Sequence, residues 1–230
     1  MARLRNELML PYVRGKRVLD LGCVDTRPDG ERKYMSTGLH LFLKEVAAEL
    51  VGADLDEQGV REMGTIGLNV VHANAETMSL GRTFDTVVAG NLIEHLNNAG
   101  SFVGRAAEHL VEGGHLVLTT GNAFYIGNMY RILKKRRVDV HGEHTCWYDP
   151  ITLEQLVTRY PFEVVDVRFT SKDRWHKAGK QFRPKYLIPR ILTVLRPYFA
   201  GSFLLIARKV SKPGQTPLDR PYASSAVTNP

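Results

Sequence analysis

The chain has 230 residues, 31 of them Lys or Arg and 24 Asp or Glu, for a formal net charge of +7. That length suits one large α/β domain or two small ones and buries a core without disulfide staples. With 43% apolar residues, 24% charged residues and two cysteines, the composition excludes a disordered chain and a disulfide scaffold. No apolar run approaches the ~20 residues that cross a bilayer as a helix. Arg3, Arg5, Glu7 and Arg14 break up the N-terminal stretch, so no secretory leader is expected there. Together with the low cysteine count this points to a reducing, cytoplasmic setting.

In chain order, Arg17 to Gly22 is a short apolar run ending in glycine and predicts a buried first strand. Leu39 to Leu50 carries a broad apolar helical face. Val51 to Leu55 is a second strand, Glu57 to Gly64 a short helix, and Asn69 to Ala73 a third strand. Phe84 to Gly90 is a fourth strand, and Gly100 to Val111 a helix stopped by Gly113 and Gly114. His115 to Thr120 is the fifth strand. Helices are expected over Phe124 to Leu133 and from Pro150 to about Arg159, and strands over Phe162 to Thr170 and Ser202 to Val210. Residues 171–200 form a basic, aromatic insertion, a lid or docking element, and 211–230 a disordered tail rich in Pro, Ser and Thr. Residues 1–210 then make a single domain.

Strands alternating with helices predict a parallel sheet covered on both faces. Ligands in such sheets bind beyond the carboxyl ends of the strands. Three strand ends form an ordered set. Asp20, Leu21 and Gly22 close the first strand, and Gly22 lets a ligand approach the backbone. Asp54 closes the second, where a carboxylate accepts hydrogen bonds from both hydroxyls of a ribose. Asn74 and Ala75 follow the third, offering an amide and a backbone N–H to an adenine. Val24 and Thr26 put bulk where a pyrophosphate would need further glycines, which argues against NAD or FAD.

These segments resemble class I S-adenosylmethionine-dependent methyltransferases. The residues that carry the likeness are Val18 to Cys23, Val51 to Asp56, Ala73 to Glu76, Phe84 to Leu96 and Leu110 to Thr120. The resemblance implies an α/β, Rossmann-like three-layer sandwich, with a seven-stranded, mostly parallel sheet and an antiparallel last strand. It implies S-adenosyl-L-methionine as cofactor. Asp20, Gly22 and Cys23 would lie around its amino-acid part, Asp54 and Leu55 at the ribose, and Asn74 and Ala75 at the adenine. Asn91 would face the methyl-transfer site. The chain departs from the family's Gly-x-Gly-x-Gly loop at Val24 and Thr26, and has Asn74 where Asp is common.

Transfer to a hydroxyl needs a base suited to neutral pH, and His95 and His144 are the candidates. In ubiquinone-pathway O-methyltransferases and small-RNA 3′-end methyltransferases, a similar Glu-x-x-Glu-His segment helps bind a divalent metal. Here Asn91 replaces the first acid, Glu94 and His95 match, and His141 or His144 would have to complete the set. No metal ligand is assigned on that basis, and the alternative is that Glu94 and His95 cap a helix. His40 and His115 read as structural. Twelve Lys/Arg against one acid, Asp173, stand between Arg168 and Lys212, and Arg131 to Arg137 adds five more positives. Those segments favour an anionic partner. The leading expectation is an O-methyltransferase of a small molecule such as a sugar, glycan precursor or lipid-linked intermediate. An RNA methyltransferase, peripheral membrane contact through 185–199, and a non-catalytic methyltransferase-like scaffold are the alternatives.

Overall fold

The computed structural model describes residues 2–24, 38–135, 138, 142–170 and 196–211. Seven strands form one sheet in the order β3-β2-β1-β4-β5-β7-β6. They are β1 Arg17–Leu21, β2 Glu49–Asp54, β3 Val70–His72, β4 Phe84–Gly90, β5 Leu110–Gly121, β6 Phe162–Phe169 and β7 Ser202–Lys209. Strands β1 to β5 pair in parallel, and β7 runs antiparallel to both β5 and β6. The helices are α1 Ala2–Val13, α2 Leu39–Val46, α3 Glu57–Thr65, α4 Ala99–Glu108, α5 Ile126–Lys135 and α6 Pro150–Val157. The expected α/β sheet and its antiparallel last strand are present.

Alternation along each strand divides the core in two. Leu19 and Leu21 of β1, Val87 and Ala89 of β4, and Phe203 and Leu205 of β7 pack against α4 and α6. Their neighbours Val18, Val88, Leu204 and Ile206 face α1 and α2 through Met9, Val13 and Leu43. Each fully buried Val, Leu, Ile, Phe or Met side chain among them stabilises the fold by about 1.5–3 kcal/mol. Asp20 shares a face with Val18 and is therefore directed into the α2 layer. Arg17 locks the start of β1 to β4: its guanidinium and backbone N–H both donate to Asp85 at 2.8–3.2 Å.

The largest departures from the sequence reading lie in α1, α2, α4 and β5. Helix α1 was not expected, because its scattered charges hide the buried Met9 and Val13. Helix α2 stops at Val46 rather than Leu50, since the N–H groups of Ala48 and Glu49 turn to the Lys16 carbonyl and start β2. Helix α4 ends at Glu108, where the Lys209 ammonium donates to the carbonyls of Ala107 and Leu110 at 2.7 and 2.8 Å. Gly113 and Gly114 consequently lie inside β5. Gly113 has φ +76°, and a Cβ on Gly114 would stand 2.9 and 3.0 Å from the carbonyl oxygens of Val111 and Asp85. The glycine pair thus lets β5 bulge close beside β4.

At the far edge, Thr170, just after β6, and Ser202, the first residue of β7, close a neck. The Thr170 N–H donates to the Ser202 carbonyl at 3.0 Å, and the two buried hydroxyls are 3.0 Å apart. Most of the expected insertion (171–195) and nearly all of the expected tail (212–230) lie outside the described residues.

Candidate functional site

The carboxyl ends of β1, β2, β3 and β4 come together along one edge of the sheet. Gly22 follows β1 with φ +74°, a conformation costly for any residue with a Cβ. A Cβ there would also meet Leu92 Cδ1 at 3.1 Å, so the loop can lie against the β4 end only with glycine. Asp54 ends β2 with both oxygens engaged: Oδ2 accepts the Val24 N–H at 2.8 Å and Oδ1 the Asp56 N–H at 2.9 Å. Burial pushes its carboxyl above the usual range, against those two hydrogen bonds, which favour the charged form. The Asp56 carboxylate in turn caps α3 by accepting the Gly59 N–H.

The remaining expected cofactor residues take defined positions. The Val24 side chain points away from the Gly22 turn, into the space over Gly59 of α3, where a Cβ would stand 2.5 Å from it. It packs beside Cys23, Met63 and Leu68. Thr26 lies outside the described residues. Cys23 is buried, and desolvation pushes its thiol far up, so its side chain is core. Leu55 is 65% exposed beside Asp54, an open apolar surface at the β2 end. Asn74 folds its Oδ1 back to accept the Glu76 N–H at 2.8 Å, fixing the turn that holds Ala75. The Asp20 carboxylate faces His40, with Oδ2 2.9 Å from Nδ1, and both side chains are 2% exposed. An ionised Asp20 makes Nδ1 the donor. His40 is structural, as expected, but its partner is a residue of the strand-end motif.

The β4 end carries Asn91, Glu94 and His95. Asn91 has φ +53°, with its N–H held by the carbonyl and hydroxyl of Thr119 at 2.8 and 3.2 Å. A non-glycine residue in this region is strain of the kind found at functional sites. A single 3-10 turn, Ile93–His95, follows. Glu94 is buried and accepts the Thr120 hydroxyl hydrogen bond at 2.8 Å. Burial raises its carboxyl above the usual range, opposed by hydrogen bonds from its own N–H, Thr120 and the Gly121 N–H. The Glu94 carbonyl accepts the Thr145 N–H at 2.9 Å, which brings His144 alongside. The His95 and His144 rings meet edge to face at 4.6 Å. One ligand atom each from Glu94, His95 and His144 lies within 4.8 Å of the others. His141 lies outside the described residues.

Two further residues shape this side, Asn122 just past β5 and Tyr198. Buried Asn122 donates to the carbonyls of Tyr198 and Ala200 at 2.7 and 2.8 Å, and Tyr198 donates to Asp149 at 2.8 Å. They tie the start of α5 and the start of α6 to the segment before β7.

A family model described as a methyltransferase domain matches residues 1–167, most of the chain. The chain belongs to the methyltransferase-domain family. The ubiquinone biosynthesis O-methyltransferase of Bradyrhizobium sp. (strain ORS 278) is 28% identical over 127 residues. That match covers 51% of this chain and 45% of the relative, so the chain spans about half the length of the curated relative it matches. Solved structures share the fold. A SAM-dependent methyltransferase from Archaeoglobus fulgidus aligns with a TM-score of 0.63 at 18% identity, over 91% of this chain and 95% of that one. Magnesium protoporphyrin IX methyltransferase from Synechocystis, solved with bound SAH, aligns with a TM-score of 0.58 at 12% identity, over 90% and 81%. The methyltransferase domain takes S-adenosylmethionine as its cofactor. Among the described residues no helix is long and apolar enough to cross a membrane.

Proposed function

We propose that this methyltransferase domain methylates the hydroxyl oxygen of a small anionic acceptor. A sugar, a glycan precursor or a lipid-linked intermediate fits that description. The observation that carries the reading is the grouping of Glu94, His95 and His144 beside Asn91, at the strand end next to the cofactor residues. The likeness to an O-methyltransferase supports it. So does the basic run that begins in α5, next to this end of β5.

The chemistry asks little more of the protein than alignment and a proton acceptor. The acceptor oxygen forms a bond to the methyl carbon as the carbon–sulfur bond breaks, and the thioether leaves neutral. The hydroxyl proton passes to an imidazole nitrogen of His95 or His144. Cofactor binding falls to Gly22, Asp54, Leu55, Asn74 and Ala75, with Cys23 and Asp20 supporting them from beneath. One carboxylate and two imidazoles also suit a divalent cation, which Glu94, His95 and His144 would hold and which would acidify a bound hydroxyl.

The test pairs calorimetry with methyl transfer. Asp54→Ala removes the ribose acceptor and is expected to weaken S-adenosylmethionine binding on the order of a hundredfold, the loss of two charge-assisted hydrogen bonds. His95→Ala and His144→Ala should bind cofactor normally but lose transfer to hydroxyl acceptors. A chelator that abolishes transfer, restored by Mg²⁺ or Mn²⁺, assigns the cluster to a cation. Folded protein that binds no cofactor at millimolar concentration overturns the reading.

A further inference from the structure

Helix α5 is amphipathic. At 100° per residue, Ile126, Met129, Tyr130, Ile132 and Leu133 fall on one arc, and Arg131, Lys134 and Lys135 fall on the other. Helices of a folded domain normally turn such an arc to the core. Here Met129, Tyr130, Ile132 and Leu133 are all exposed, Ile132 by 48% and Leu133 by 84%. Phe124, just ahead of the helix, is exposed as well. Scattered exposed apolar residues are ordinary, but this run is contiguous, and it borders the basic stretch Arg131 to Arg137. No acidic residue stands between Gly113 and Val138.

We infer that α5 is a docking helix for an anionic lipid surface, lying in the plane of the headgroups with Ile132 and Leu133 inserted. Charge complementarity selects this occupant. A second copy of the chain would oppose one basic run with another. Segment 171–195 of the same chain carries seven Lys/Arg and one Asp, so its charge does not complement that of α5. A nucleic acid would satisfy the cations but leaves the apolar arc in water. A bilayer with anionic headgroups satisfies both at once. The placement has a use. The N–H of Ala123 donates to the Tyr148 carbonyl at 2.9 Å, which joins the entry of α5 to the strand of chain carrying His144. A docked α5 therefore brings the Glu94, His95 and His144 grouping to the headgroup layer, where an acceptor dissolved in the membrane presents its polar end. The docking itself rests on α5 alone and stands whatever the acceptor.

Vesicle co-sedimentation of the full chain, without cofactor or acceptor, tests it. Vesicles of equal parts phosphatidylglycerol and phosphatidylcholine should retain the protein, and pure phosphatidylcholine should not. Leu133→Asp with Ile132→Asp should reduce binding at least about tenfold with the melting temperature unchanged, since both side chains are exposed. Lys134→Ala and Lys135→Ala should each reduce it about fivefold, from about 1 kcal/mol per cation, and less at high salt. Three results overturn the proposal: no binding to anionic vesicles, binding indifferent to the aspartates, or a dimer in sedimentation velocity that Leu133→Asp dissociates. Failure of methyl transfer with vesicle binding intact would count against the proposed reaction and leave the docking in place.

Discussion

Removing the His40 imidazole should be among the most damaging single changes to this fold. The His40–Asp20 pair is 2.9 Å long and each side chain is 2% exposed, so His40→Ala leaves a buried carboxylate facing an empty space. Removing the hydrogen-bond partner of a buried carboxyl, and leaving a cavity the size of the ring beside it, costs about 3–5 kcal/mol together. That is a large share of the ~5–15 kcal/mol by which domains are stable. For a domain of this size, at about 2–4 °C per kcal/mol, the melting temperature should fall by about 6–20 °C. Asp20→Asn keeps a hydrogen bond to the imidazole and should cost far less, about 1–2 kcal/mol. Urea denaturation of the three proteins at neutral pH measures all of this. A loss below about 1 kcal/mol in His40→Ala would refute the reasoning, since it would mean that Asp20 is held equally well without the histidine. The pair also spans the loop after β1, joining its strand to the first turn of α2. Cofactor affinity in His40→Ala, measured below its melting range, should therefore drop too, with His40→Gln recovering part of it.

Other changes probe single features. Gly22→Ala must hold φ +74° and press on Leu92, so it should cost about 1–2 kcal/mol and weaken cofactor binding, read by calorimetry. Gly52→Ala would put a Cβ 2.8 Å from Cys23, His40 and Val70, and should destabilise by about 1–3 kcal/mol in chemical denaturation. Val24→Gly, which restores a family glycine, should lower stability without tightening cofactor binding, because Val24 packs over Gly59 rather than toward the site. The Arg17 hydrogen bonds hold the Asp85 carboxyl below its usual range, so that pair stabilises the fold above the unfolded carboxyl pKa of about 4 and is lost as pH falls through the lower folded value. Asp85→Asn should thus be less stable than the parent at pH 7, and the difference should vanish in strong acid.

The sheet was largely legible in the sequence because its strands end in punctuation. Apolar runs closed by Gly22, Asp54 and Gly90 announce both a strand and a ligand edge. Boundaries set by long-range partners were not. Nothing near Glu108 says that Lys209, a century of residues on, will cap the helix there. The same holds in the site. Glu94 and His95 were visible as neighbours and His144 as a second candidate base, but that His144 stands beside them depends on the Thr145 N–H bonded to the Glu94 carbonyl. The bulk of Val24 looked like an obstruction because a side chain's direction after a strand end depends on the helix it meets, here α3 at Gly59. Asp20 was legible as a motif residue, while its pairing with His40 needed the fold to bring two layers together.

The neck at Thr170 and Ser202 has an engineering consequence. Because β6 and β7 are antiparallel neighbours, the chain leaves and re-enters the sheet at one point, already closed by a backbone hydrogen bond and a hydroxyl pair. Doubling the length of such an excursion adds only about 0.6 kcal/mol of closure entropy. The exchangeable stretch ends short of Tyr198 and Ala200, whose ties to Asp149 and Asn122 must stay: a cassette port bounded by Thr170 on one side and those contacts on the other.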